Sequence, residues 1–244
     1  MRQPDAGVRG GRVSGRIPVY VEAGAKKTFA SALDWPGWSR GAKDEDGALR
    51  ALLAYGPRYG RVVSKVADFR PPADVSAFEI VERLKGDAST DFGIPSQPAR
   101  SDGEDLTTAE LDRLEAILRA CWSAFDGVAR DADGVELRKG PRGGGRDLAK
   151  VVEHVVGAEE AYLRQLGARP GVRGDASAAA ALAAEVWPAL RETILATLNV
   201  RARGNEPEHA TKVKKRWSPR YFVRRTAWHV LDHAWEIEDR ALPG

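Results

Sequence analysis

His229 and His233 are two of only four histidines in the chain. They stand four residues apart in Arg225-Thr226-Ala227-Trp228-His229-Val230-Leu231-Asp232-His233-Ala234-Trp235-Glu236. Four helical residues advance the chain by about 400°, so both imidazoles leave one face a single turn apart. Two ligands of one metal ion need that geometry. A third histidine, His154, lies in an earlier amphipathic stretch. If the two stretches pack together, three neutral imidazoles surround one point. A tetrahedral ion held there keeps one open position, the pattern of catalytic zinc, and a water or thiol bound there ionises near neutral pH. Imidazole also accepts nickel and iron. A lone histidine in a helical core is usually just hydrogen-bonded there. Three of four in this arrangement point to a metal instead.

The elements that position these residues can be read from hydrophobic spacing. Ser218 and Pro219 open a helix, with Ser as cap and Pro at the first helical position, and it runs to about Arg240. His229 and His233 share a face with Phe222, Arg225, Glu236 and Arg240. Trp228, Leu231, Ala234 and Trp235 lie on other faces, so this helix is expected to be the most buried one. Asp147 caps a helix to Leu166, with His154 at the margin of the stripe Leu148, Val151, Val155, Ala158 and Tyr162. A third helix, Ala178 to Leu198, is expected to kink at Pro188. Thr107 or Thr108 caps another, whose apolar stripe is Leu111, Leu114, Ile117, Leu118, Cys121, Trp122, Phe125 and Val128. These four helices predict an antiparallel four-helix bundle over residues 106–244, and bundles build metal sites from side chains on facing helices.

The first hundred residues have a different texture. Residues 1–16 are rich in Gly and Arg and are expected to be a disordered arm. Ile17 to Val21 and Lys27 to Leu33 read as strands, as do Arg61 to Val66 and Phe78 to Leu84. Asp34-Trp35-Pro36-Gly37 is a breaker. A short helix is expected from Asp44 to Leu53, capped by Asp44. Residues 17–85 thus form a small N-terminal module. Residues 86–105, rich in Gly, Pro, Ser and Asp, read as a linker. The fold class is α+β.

Composition excludes several functions. Residues 1–100 carry 16 Lys+Arg against 12 Asp+Glu, and the remainder 22 against 23. This weak basic excess makes nucleic acid an unlikely partner. Gly140-Pro141-Arg142-Gly143-Gly144-Gly145 lacks the Gly-Lys-Ser/Thr ending of a P-loop. No apolar run is long enough to span a membrane, and no secretory signal is visible, so the cytoplasm is the expected compartment. Cys121, the single cysteine, falls in a helical stripe and reads as a small buried residue.

Around the histidines, Asp232 and Glu236 are candidates to orient the imidazoles. Arg225, one turn before His229, is a candidate to hold a substrate carboxylate. Salt bridging accounts for all three equally well. A basic loop with Arg201, Arg203, Lys212, Lys214, Lys215 and Arg216 precedes the last helix and can rim the site. A solvated loop explains it more simply. His209, in the same loop, is expected to be exposed.

The stretch Trp217 to Arg240, read with Asp147 to Leu166, resembles the DinB-like (YfiT-type) superfamily over about residues 105–244. The resemblance implies a four-helix bundle with one divalent metal ion on His154, His229 and His233. Members of that superfamily include thiol transferases and isomerases using bacillithiol, mycothiol or glutathione, and others without assigned activity. The resemblance therefore implies a metal-dependent thiol transferase, or a related hydrolase or isomerase, acting on a small electrophilic substrate. The Arg-, Ala- and Gly-rich composition suits a GC-rich genome and makes mycothiol the favoured thiol. The stretch Thr28 to Gly41, followed by Asp44 to Leu49, resembles a HicB-like module over about residues 17–66. That implies a second possibility, a non-enzymatic protein that binds a protein partner or forms a homodimer through this module, with a structural or vestigial metal.

Overall fold

The computed structural model describes residues 15–139, 145–170, 186–208 and 210–241. Most of the expected arm, most of the Gly-rich loop, the first part of the expected third helix, and His209 lie outside them.

Strand β1 (Ile17–Ala23) turns into β2 (Thr28–Ala32), which pairs with it antiparallel, Val21 opposite Ala30. A third strand, β3 (Ser39–Ala42), follows the Trp35-Pro36-Gly37 turn and pairs with β2. It was not expected, because four residues are too few to show an alternating pattern. Helix α1 (Glu45–Val63) then crosses over to β4 (Phe78–Lys85). The sheet order is β3-β2-β1-β4, with β4 parallel to β1 as a crossover connection requires.

Asp44 caps α1 by accepting from the Gly47 amide at 2.8 Å. The strand expected at Arg61 to Val66 is instead the end of α1 and the turn after it. The adjacent Val62 and Val63 are β-branched residues that favour a strand. However, Ala48, Leu52, Gly56, Tyr59 and Val63 keep helical spacing on the buried face, and that packing outweighs the backbone bond lost at Pro57. Their face covers Trp38, which is fully buried, stacks on Tyr59 at 5.8 Å and meets Phe69 and Phe78. The polar ends of these rings are satisfied: Trp38 Nε1 donates to the Leu52 carbonyl and Tyr59 Oη to that of Pro36.

The stretch read as a linker holds a short helix, α2 (Ala88–Phe92), and a 3-10 turn, Arg100–Gly103. Its polar groups bond inward. The buried Glu22 carboxylate of β1 accepts from Thr90 Oγ1 at 2.5 Å and from the amides of Ser96 and Gln97 at 3.0 Å.

The helical bundle comprises α3 (Thr108–Asp131), α4 (Leu148–Leu166), α5 (Val186–Ala202) and α6 (Pro219–Ala241). Thr107 and Glu110 form a capping box on α3, and Asp147 caps α4 through the Lys150 amide. The expected stripe from Leu111 to Phe125 is buried. Cys121 lies within it, and burial pushes its thiol pKa well up, leaving it unreactive at neutral pH. Helix α6 packs on α3 and α4 and is buried on most sides. Among the described residues no helix is long and apolar enough to cross a membrane.

The sheet and α6 are locked together. Gly37 has φ +94°, and a Cβ there would meet Leu231 Cδ1 at 2.9 Å. Only glycine allows the turn to lie this close to α6. Arg224 of α6 reaches the other way. Its guanidinium donates to Asp102 of the 3-10 turn at 2.7 Å and to the carbonyls of Ala32 and Leu33 at 3.1 Å. Both partners of this ion pair are buried.

Candidate metal centre

Helix α6 starts at Pro219 behind Ser218, whose Oγ accepts from the Tyr221 amide at 3.3 Å. From there its register presents Arg225, His229, His233 and Glu236 toward α4. His154 projects from α4 to meet them. The three rings have centroids 4.7–5.0 Å apart, and one ligand atom from each lies within 4.8 Å of the others. The sequence-derived trio is therefore brought together.

His229 Nε2 and His154 Nε2 are 3.2 Å apart. Two nitrogens each bonded to one tetrahedral ion at about 2.0–2.1 Å would be about 3.3 Å apart. One edge of a coordination tetrahedron thus already has its length. His233 Nδ1 meets Glu236 Oε2 at 2.8 Å, and Glu236 Oε1 accepts from Arg240 Nη1 at 2.7 Å. A carboxylate acceptor places the proton on Nδ1 and leaves the Nε2 lone pair of His233 free for a ligand bond. The hydrogen bond from His233 is the main cause holding the Glu236 carboxyl below its ordinary range. Arg240 is fixed in turn by the Arg146 and Arg138 carbonyls.

Burial favours the neutral form of His154 and His229. His229 is 6% exposed, and desolvation pushes its pKa well below the ordinary value, with His233 adding repulsion. The same effects lower His154 to about 4. Neutral nitrogen lone pairs are what a divalent ion requires. The donor set, three imidazoles with Glu236 behind one of them, fits a divalent transition metal.

The other sequence candidates separate. Glu236 lies within hydrogen-bond distance of His233 Nδ1. Asp232 does not reach an imidazole: it pairs with Arg40 of β3 at 2.9 Å. Arg225 lies beside the cluster, its Cζ 5.0 Å from the Tyr162 ring and 4.6 Å from that of Trp228. In the basic loop, Arg201 and Arg216 both bind Glu206, while Arg203, Lys212, Lys214 and Lys215 are exposed. Trp217 ends the loop against Tyr162, with ring centroids 5.0 Å apart. Tyr162 was read as part of an apolar stripe, yet its ring also lies 5.6 Å from that of His229. The helical spacing from His154 to Tyr162, about two turns on one face, was the available signal.

A second buried polar cluster was not foreseen. Glu159 of α4 is fully buried and accepts from Trp122 Nε1 at 2.6 Å and Trp187 Nε1 at 2.9 Å. Burial raises its pKa, with Arg191 opposing. This cluster ties α4 to α3 and α5 and so helps to hold His154 in place.

No curated protein and no solved structure matches the chain. Residues 117–237 match the family model of the DinB superfamily, from the middle of α3 through α4 and α5 to the last turns of α6. That span includes all three histidines. Over these residues the chain resembles the DinB superfamily.

Proposed function

We propose that this protein binds one divalent metal ion, with zinc first and nickel or iron as alternatives, through His154, His229 and His233. We further propose that it is a metal-dependent thiol transferase, or a related hydrolase or isomerase, acting on a small electrophilic substrate. The observation that carries the reading is the 3.2 Å approach of the half-buried His154 and the buried His229, imidazoles from different helices, with a third beside them. When bound, such an ion supplies Lewis acidity at an open fourth position, enough to ionise a water or thiol near neutral pH.

The chain's own residues do the rest. Glu236 keeps the proton on His233 Nδ1. Tyr162 and Trp228 pack their rings beside His229, and Trp217 packs on Tyr162. Cys121 is buried and protonated, so the protein has no thiolate of its own to offer. A thiol reaction therefore needs a low-molecular-weight co-substrate of the mycothiol, bacillithiol or glutathione kind. The test is conjugation of such a thiol to 1-chloro-2,4-dinitrobenzene by zinc-loaded protein. Acceleration that disappears in His229→Ala supports the transferase; no acceleration with any of the three thiols contradicts it.

One observation favours the second reading, a partner-binding protein acting through its N-terminal module. Phe92 on α2 is 82% exposed, and Val81 on the edge strand β4 is 45% exposed. Stoichiometric capture of a protein partner that is lost in Phe92→Ser and unaffected in His229→Ala would support it.

A further inference from the structure

The four arginines of α6 that approach neighbouring elements are not alike. Arg220 binds Glu110, Arg224 binds Asp102, and Arg240 binds Glu236. Arg225 is only 8% exposed, yet among the described residues no carboxylate reaches it, and its Nη1 has no hydrogen-bond partner. Its positive charge opposes the rise that burial gives the Tyr162 hydroxyl pKa. Two neighbouring donors, Trp228 Nε1 and His229 Nδ1, are also buried without partners among the described residues. A buried donor left unpaired costs about 1–3 kcal/mol, and more when charged. Such a residue one turn from a metal centre has a reason to be there.

Its surroundings say what it lacks. The guanidinium lies between the rings of Tyr162 and Trp228, and Tyr162 touches the His229 ring. Arg225 and the histidines therefore share one wall. Arg146 also repels positive charge on His154 and His229. The nearby carboxylate, Glu236, is already shared by His233 and Arg240. Lys212, Lys214 and Lys215 are exposed in the loop that Trp217 anchors against Tyr162. Among the described residues, Glu236 is the one carboxylate bonded at this wall, and it is already engaged. A planar guanidinium between two rings matches a planar carboxylate better than it matches a neutral group.

We propose that Arg225, stacked on Tyr162 and Trp228, docks a carboxylate of the molecule that enters the metal centre, so that the site selects an anionic substrate or thiol over its neutral counterpart. This rests on the metal reading only for what happens at the ligand's other end.

The test has two arms. In cobalt-loaded protein, the sulfur-to-cobalt absorption band reports binding of 4-mercaptobutyrate and of its neutral analogue 4-mercaptobutanol. The acid is expected to bind at least about tenfold more tightly, the worth of one charge-assisted contact. Arg225→Gln should remove that preference by weakening the acid alone, and Arg225→Lys should keep part of it. Equal affinities in the unaltered protein, or equal weakening of both thiols, would overturn the proposal. The second arm uses metal-free protein titrated with butyrate or butanol and followed by tryptophan fluorescence. Saturable quenching by butyrate alone, lost in Arg225→Gln, supports the proposal even if no metal is taken up. Absence of any saturable response to butyrate in the second arm overturns it, whatever the metal content.

Discussion

His154 of α4 and His229 of α6 point their Nε2 atoms at each other across 3.2 Å, although 75 residues separate them in the chain. Neither ring is charged, since burial lowers both pKa values. Two neutral imidazoles can share one proton in such a contact, but both can also face one cation. Removing either should abolish tight metal binding while leaving the fold intact. His154→Ala and His229→Ala are expected to lose more than the roughly 10–100-fold affinity that supporting residues contribute. Competition with a chromophoric chelator measures the loss, and circular dichroism checks the fold.

Glu236 supports the site without facing the ion. Its Oε2 holds the His233 Nδ1 proton, and Arg240 holds its Oε1. Glu236→Gln should weaken metal binding about 10–100-fold, because the imidazole loses a fixed orientation and some basicity. The same substitution at Asp232, which pairs with Arg40 instead, should change affinity little.

The Arg224–Asp102 pair binds α6 to the N-terminal sheet. Both groups are buried, and the guanidinium also caps the end of β2. Asp102→Ala leaves a buried cation without its partner and should cost about 3–5 kcal/mol. Urea denaturation monitored by circular dichroism reads this directly. Replacing both residues by apolar ones of similar volume should recover much of the loss.

What was legible in the sequence was local. The His229–His233 spacing, the cap at Thr107, the Asp147 cap and the Ser218-Pro219 start each depend on neighbours within a turn, and the structure shows each of them. Distant partners left weaker traces. Arg224 looks like Arg225 in sequence, yet one lies in an ion pair and the other between rings. Asp232 sits about 60° around the helix from His229. That is near enough to suggest a shared face and far enough to reach Arg40 instead. Residues 86–105 have linker composition because their Ser, Thr and Asp groups serve Glu22 and Arg224, and nothing in composition distinguishes a polar segment bonded to protein from one bonded to water. Strand β3 and the far half of α1 exist because Trp38 and Tyr59 stack, a contact between residues 21 apart.

Acid should weaken the start of α3. Glu110 takes a hydrogen bond from Arg220, first, and from Thr107, and these hold its pKa at about 2 against an ordinary 4.5. A lowered carboxyl pKa contributes stability that is present above 4.5 and is lost as the pH falls toward 2. Because Glu110 is partly exposed, the effect is modest and screened by salt. Between pH 6 and pH 2.5 the unfolding free energy should fall less in Glu110→Gln than in the unaltered protein. Identical pH profiles for the two would show that the cap carries no such linkage.

The central claim is that three histidines from two helices hold one ion. The most direct measurement is elemental analysis of protein purified without a histidine tag, followed by titration with zinc. Close to one equivalent of a divalent ion per chain, bound tightly and lost in His229→Ala, is predicted. Less than a tenth of an equivalent as purified, with no uptake on titration, would contradict it.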